Sequence, residues 1–205
     1  MKTIIFATTN KDKLREIGEM LRGRSVKVLS MAETGYDLEI EEDGTTFEEN
    51  ARIKAKAVAK YITEQKAEYA DAIVLADDSG LEIDYYDKRP GVYSHRWLGE
   101  MSYHDKMAEV IADMQAVPEE KRGARFVCSM AAVILPDKEL TTVQTVEGRI
   151  AYEITGNNGF GYDPFFYVPE YGCTTAEMSP EDKNAISHRG KALRNIINML
   201  NDYLD

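Results

Sequence analysis

Two adjacent carboxylates, Asp77 and Asp78, follow a short apolar run at residues 73–76. The run predicts a buried strand that ends at these residues, and ligands of α/β sheets usually bind at the carboxyl ends of strands. Mg²⁺ is held in proteins by one or two carboxylates together with substrate phosphates, so the pair is a candidate metal site. A turn capped by Ser79 and Gly80 explains the same residues without any ligand.

A second source of carboxylates is the acidic stretch at residues 39–43. Apolar and acidic residues alternate over 38–42, which predicts a half-buried strand. If Glu41 points at Asp78, the two form a metal site, and Lys54 supplies a neutralising charge. The alternative is a solvated acidic face.

The loop at residues 8–13 lies between a predicted strand and a predicted helix, a position that favours anions through backbone N–H groups and the helix dipole. Lys11 and Lys13 add positive charge there, and Thr8 and Asn10 add hydrogen-bond donors. The loop lacks the spaced glycines of a Walker A motif. A capped helix with solvated lysines is the plain alternative.

Two later segments carry groups suited to a nucleobase. In the glycine-rich loop 156–163, Phe160 and Tyr162 offer aromatic faces and Asp163 offers an acceptor. Lys183 and the sequence at 187–190 (SHRG) offer donors for a ring carbonyl. Taken alone, the first segment is explained equally well by a tight structural loop, and the second is explained better by a surface helix.

The elements that must position these residues form a mixed α/β pattern, predicted as one domain over residues 1–205. A strand is predicted at 26–29. A capping box at Thr46 and Glu49 predicts the start of a helix. A further helix is predicted at 102–114 and a hairpin over 124–135 and 141–150. Ser179 and Pro180 begin a last predicted helix that runs to about Leu204.

Composition limits the class of protein and its partners. The chain has 205 residues, a formal net charge of −11, 43% hydrophobic and 30% charged residues. An acidic balance disfavours nucleic-acid polymers, whose binding depends on phosphate neutralisation. Neither a signal peptide nor a membrane-spanning run is predicted, so we expect a cytoplasmic protein. The two cysteines lack metal-ligand spacing and are expected to be reduced.

Six segments resemble the inosine/xanthosine triphosphate pyrophosphatases, in the family's order and over nearly the whole chain. They are residues 7–13 (ATTNKDK), 47–51 (FEENA), 76–81 (ADDSGL), 90–94 (PGVYS), 159–164 (GFGYDP) and 185–190 (AISHRG). Two positions depart from the family pattern. Thr9 stands where the family usually has Gly, and Asp12 stands where it often has Gly.

The resemblance implies an elongated mixed β-sheet flanked by helices, in two lobes with a central substrate cleft. It also implies a homodimer, a Mg²⁺ requirement and a purine nucleoside triphosphate as substrate. It places Asp78 as proton acceptor and Glu41 with Asp78 at the metal. It assigns the remaining positions to the substrate: Thr8, Thr9, Asn10, Lys11, Asp12, Lys13, Lys54, Ser79, Phe160, Gly161, Tyr162, Asp163, Lys183, His188 and Arg189.

Two other functions remain open at this point. A Maf-like pyrophosphatase would act on pyrimidine or methylated nucleotides, and the SHR and FGYDP motifs argue against it. A non-catalytic nucleotide-binding module would need neither Asp78 nor Glu41.

Overall fold

The computed structural model describes residues 2–204 and contains a seven-stranded sheet with strand order β2-β1-β3-β4-β5-β6-β7. The strands are Lys2–Phe6 (β1), Val26–Ser30 (β2), Ile73–Ile83 (β3), Gly123–Ile134 (β4), Lys138–Ile150 (β5), Phe166–Val168 (β6) and Cys173–Thr174 (β7). The α-helices are Lys11–Met20 (α1), Phe47–Gln65 (α2), Tyr103–Asp113 (α3), Pro180–Ile186 (α4), His188–Met199 (α5) and Asn201–Leu204 (α6). Short 3₁₀ helices lie at Ala32–Thr34, Ala67–Tyr69, Asp84–Tyr86, Gly91–Tyr93, Glu119–Lys121 and Asp163–Phe165. The predicted mixed α/β class is confirmed.

Helix starts follow the predicted signals. Asn10 caps α1 by accepting hydrogen bonds from the N–H groups of Asp12 and Lys13. At α2, the Thr46 side chain accepts from the N–H of Glu49 and the Glu49 carboxylate accepts from the N–H of Thr46, which confirms the capping box. Both caps satisfy N–H groups that a helix start otherwise leaves unpaired.

The chain divides into two compact units. Unit 1 comprises residues 1–78, 128–144 and 189–205, and unit 2 comprises residues 79–127 and 145–188. In unit 1, β1 pairs in parallel with both β2 and β3. One apolar cluster of unit 1 joins these strands to α1 and α5, and a second joins them to α2. Strand residues therefore bury both faces, as parallel sheets require.

Unit 2 has its own apolar cluster, built from Leu81, Ile83, α3, Phe126 and the 162–168 segment among others. At its edge, the fully buried side chain of Arg122 donates to three backbone carbonyls. The acceptors are Ile150 at 2.8 Å, Met114 at 2.5 Å and Ala151 at 2.8 Å. Arg122 thereby joins the end of α3 to the end of β5.

Strand β3 is longer than the sequence predicted. It continues past Asp77 and Asp78 to Ile83, because Leu81 and Ile83 are fully buried and extend the apolar pattern. The prediction that the strand ends at the two carboxylates was therefore wrong. Both residues lie inside a strand, where neighbouring side chains point to opposite faces.

Two further predicted elements differ from the structure. Residues 38–42 form no strand, although their alternation predicted one, and Leu38 is 64% exposed. The predicted last helix is divided into three, because Ser187 is extended (ψ 153°) between α4 and α5 and α6 begins after Leu200. Residues 38–42 alternate in polarity but pair with no other strand among the described residues, so the predicted strand does not form.

Within residues 2–204, no helix is long and apolar enough to cross a membrane.

A buried hydroxyl in β4 gives a first testable prediction. Ser129 is fully buried, and its Oγ has no hydrogen-bond partner among the described residues. Ser129→Ala removes a desolvated polar group, so we expect the free energy of unfolding to rise by about 1 kcal/mol. Urea denaturation with an unchanged m-value would measure this. A loss of stability would mean that the hydroxyl is bonded in solution.

Candidate active site

The two adjacent carboxylates of β3 have different surroundings within unit 1. The side chain of Asp77 is fully buried, and both its oxygens lie 3.0 Å from the Lys13 ammonium. The Nε of Arg189 lies 3.3 Å from the same carboxylate. Burial raises the pKa of Asp77, but Lys13 and Arg189 outweigh it and hold that pKa well below its ordinary value. Asp77 is therefore a permanent anion whose oxygens are already engaged.

Glu16 completes a row of four alternating charges, three of them buried. Its carboxylate accepts from Nη1 of Arg189 at 2.5 Å, so the guanidinium joins two acids. Lys13 and Glu16 are three residues apart on α1, which places them on the same helix face. The row runs Glu16, Arg189, Asp77, Lys13, and its formal charges cancel. Arg189 thus links α5 to α1 and β3.

Asp78 is the more accessible of the two acids. Asn50 Nδ2 donates to its Oδ2 at 3.1 Å, and the Lys54 ammonium lies 3.4 Å from its Oδ1. Burial raises the pKa of the Asp78 carboxyl, and the charges of Lys54 and Lys13 offset part of that rise. A raised carboxyl pKa is what a general base operating near neutral pH requires.

The nearby acidic segment reaches this position through Glu42. Its carboxylate contacts the Lys54 ammonium at 2.6 Å, and its charge also acts on Asp78. Glu41, the predicted metal ligand, is exposed. Residues 2–204 contain no group of three or more His, Cys, Asp or Glu side chains arranged to hold a metal.

The predicted phosphate loop is largely occupied by its own hydrogen bonds. The N–H groups of Asp12 and Lys13 donate to Asn10 Oδ1, and the N–H of Asn10 donates to Thr8 Oγ1. Thr9 and Lys11 are exposed. Non-glycine residues with positive φ in the described chain lie at 87, 88 and 98, so Thr9 adopts an ordinary backbone conformation. Side chains, more than backbone amides, are available to an anion here.

In unit 2, Asp163 organises the glycine-rich loop. Its Oδ2 accepts from the N–H of Phe160 at 2.8 Å and from the Lys183 ammonium at 2.7 Å. Its Oδ1 accepts from Thr175 Oγ1 at 2.8 Å. The Lys183 ammonium also lies 5.3 Å from the centre of the Phe160 ring. Asp163 therefore fixes the loop and orients both residues.

The other predicted base-contacting residues of unit 2 differ in accessibility. Phe160, Gly161 and Ser79 are half-buried. Tyr162 is buried, donates its hydroxyl to the carbonyl of Ser94 at 2.9 Å, and belongs to the apolar cluster. His188 is buried against the ring of Phe126, with centroids 4.8 Å apart. Phe160 is thus the aromatic face best placed for stacking.

Gly159 gives a second prediction. Its φ is +76°, and a Cβ there would lie 2.1 Å from Asp163 Oδ2 and 2.9 Å from Lys183 Nζ. Gly159→Ala must displace this ion pair, so we expect KM for the nucleoside triphosphate that the family resemblance implies to rise by about tenfold or more. Steady-state kinetics measures it, with Gly99→Ala, a positive-φ glycine with open space around its Cβ position, as the control. A normal KM in Gly159→Ala would contradict the assignment.

Three residues of the site were not predicted from sequence: Glu16, Glu42 and Asn50. Glu16 had a signal in its spacing from Lys13, because three residues along a helix return to the same face. Glu42 lies beside the predicted Glu41, and only the path of the segment distinguishes them. Asn50 lies in the family-like segment 47–51, but the resemblance assigned it no role.

Taken separately, each unit of this α/β protein carries side chains suited to one part of a nucleotide. Unit 1 has cations and carboxylates suited to phosphates and a metal, and unit 2 has a lysine and an aromatic face suited to a base. The model of the Ham1 family matches residues 4–199. The chain belongs to the Ham1 family.

Individual relatives agree with this family. The chain is 46% identical over 202 residues to a dITP/XTP pyrophosphatase of Bacillus subtilis, covering 98% of each chain. It is 44% identical over 197 residues to a dITP/XTP pyrophosphatase of Clostridium perfringens, covering 96% of each. The solved structure of a HAM1 protein from Coxiella burnetii superposes with a TM-score of 0.84 at 40% identity, covering 98% of this chain and all of that one. The predicted pyrophosphatase family is confirmed.

Proposed function

We propose that this chain hydrolyses non-standard purine nucleoside triphosphates, dITP/ITP and XTP/dXTP, to the monophosphate and pyrophosphate. The relatives named above, similar over nearly their whole length, support the reaction class. Removing such nucleotides prevents their incorporation into nucleic acid.

The observation that carries the proposal is the asymmetry between the two acids of β3. Asp77 forms ion pairs with Lys13 and Arg189. Asp78 instead contacts the neutral amide of Asn50 and one lysine, and burial raises its pKa. Asp78 is therefore the group that accepts a proton from the water that attacks the α-phosphorus. Pyrophosphate leaves as that bond forms.

The donor set fits Mg²⁺. Asp78, with Glu41 or Glu42 from the acidic segment, would supply the one or two carboxylates that Mg²⁺ takes alongside substrate phosphates. When bound, the ion neutralises charge on the phosphate oxygens.

Lysines and the glycine-rich loop supply the remaining proposed substrate contacts. The exposed Lys11, and Lys13 and Lys54 beside the two acids, attract the triphosphate. Phe160 stacks on the base, and Lys183 and His188 donate hydrogen bonds to its 6-oxo group. An adenine amino group would face these donors unpaired, which costs about 1–3 kcal/mol per contact. We further propose a cytoplasmic homodimer.

Pyrophosphate release from ITP, dITP and XTP tests the function, with ATP and GTP as competing standard nucleotides. We expect Mg²⁺-dependent release from the first three and a kcat/KM at least about 100-fold lower for ATP, in line with discrimination by hydrogen-bonding sites. Preferential turnover of dUTP, UTP or 7-methyl-GTP would instead support a Maf-like activity. Absence of pyrophosphate release from every nucleotide would support a binding module.

A further inference from the structure

We propose that Asn50 is a positioning residue that sets the orientation of the Asp78 carboxylate and holds the acidic segment beside it. This inference rests on the proposed function, because it takes Asp78 to be the proton acceptor. Asn50 contacts no part of the substrate in the proposal and acts through Asp78.

The orientation of the Asn50 amide follows from its neighbours. The N–H of Gly44 can only donate, and it lies 2.9 Å from Oδ1 of Asn50. That contact assigns the carbonyl oxygen to the Gly44 side, so the amide nitrogen faces Asp78 Oδ2 at 3.1 Å. Asn50 thus accepts from the loop backbone and donates to the acid, and the reverse orientation would lose both bonds.

The position of Asn50 is rigid. It is 3% exposed and lies in the first turn of α2, so burial and the helix backbone restrict the movement of its side chain. Gly44 is equally constrained, since a Cβ there would lie 2.6 Å from Asn50 Oδ1. The Asn50 amide therefore holds the acidic segment that precedes Gly44 close to the helix start, together with the ion pair between Glu42 and Lys54.

The consequence for Asp78 is a carboxylate held at both oxygens. Asn50 donates to Oδ2 and Lys54 approaches Oδ1, so rotation of the carboxylate would break one contact or the other. An ionised carboxylate accepts at about four lone-pair positions, so each oxygen retains acceptor capacity for a proton or a metal ion. Asn50 directs that capacity without occupying it.

Two substitutions separate orientation from packing. Asn50→Asp has the same shape and keeps an acceptor for the Gly44 N–H, but it replaces the donor that faces Asp78 with an acceptor. Asn50→Ala removes both contacts. Thr46→Ala is the matched control, because it weakens the start of the same helix by about 1 kcal/mol without touching Asp78.

We expect Asn50→Asp to lower kcat for ITP by about 10–100-fold, the usual effect of losing a partner that orients a metal-site ligand. KM should change by less than about threefold, since substrate contacts are intact. Thr46→Ala should retain kcat within about twofold. The affinity for Mn²⁺ alone can be measured from the EPR signal of the unbound ion. It should fall about tenfold in Asn50→Ala and stay unchanged in Thr46→Ala.

The inference is overturned if Asn50→Asp keeps its kcat, if Thr46→Ala loses as much activity, or if Asn50→Ala binds Mn²⁺ normally. These outcomes are distinct from failure of the proposed function. That failure would show as a wild-type chain that releases no pyrophosphate, whereas failure here leaves the wild type active and Asn50 dispensable.

Discussion

Asp78→Asn is expected to lower kcat for ITP by a factor on the order of 10³, within the range that a general base contributes. Asparagine keeps the size and polarity of the side chain but cannot accept the proton of the attacking water. It also removes one carboxylate from the candidate Mg²⁺ site.

The same substitution should leave the fold intact. Burial raises the pKa of the Asp78 carboxyl, so its ionised form costs stability near neutral pH, and a neutral amide removes that cost. Urea denaturation should therefore show an unfolding free energy equal to or above that of the wild type. Asp71→Asn is the matched control, because the Asp71 side chain is 80% exposed and lies just before β3. Near-normal kcat in Asp78→Asn would refute its assignment as proton acceptor.

Arg189→Gln is expected to lower the free energy of unfolding by about 3–5 kcal/mol, the usual cost of removing one partner from a buried ion pair. Without the guanidinium, Glu16 loses its 2.5 Å contact, and Asp77 retains Lys13 but loses its 3.3 Å contact. Arg189→Lys should also lower the free energy of unfolding, because a lysine ammonium is a point charge and cannot contact two carboxylates as the planar guanidinium does.

A double variant tests the cause. Adding Glu16→Gln to Arg189→Gln removes the uncompensated acid, so it should recover part of the lost stability in urea denaturation. Arg194→Gln, on the exposed side of α5, should cost less than about 0.5 kcal/mol. A stable Arg189→Gln whose only defect is a raised KM for ITP would instead indicate the base contact that the family resemblance implies.

Sequence reasoning succeeded where a short local pattern carries the physics. The capping box of Thr46 and Glu49 and the hairpin around residues 136–137 are local, and both are confirmed, although the second strand begins at Lys138 and not at 141. The Asp77 and Asp78 pair was singled out by its position after an apolar run that predicts a strand, and the opposite orientation of the two side chains follows from strand geometry.

The remainder depended on contacts between distant parts of the chain. Asn50 meets Asp78 across 28 positions and Arg189 meets Glu16 across 173, and one sequence contains no record of either contact. The same limit explains Asp163. Its acceptor chemistry was recognised, but the structure directs it to Thr175, just after β7, and to Lys183 of α4, both outside the loop 156–163. Residue type identifies what a side chain can do, and tertiary packing selects its partner.

Arg122 couples local unfolding at two places in unit 2, the end of α3 and the end of β5. Its guanidinium donates hydrogen bonds to the carbonyls of Met114, Ile150 and Ala151. If the end of α3 frays, the carbonyls at the end of β5 therefore lose their hydrogen bonds as well. Local fluctuations of these two segments are therefore coupled, and their backbone amides should exchange with deuterium in a single cooperative event. Unit 2 would then behave as one folding unit, stabilised by a side chain that takes no part in the proposed reaction.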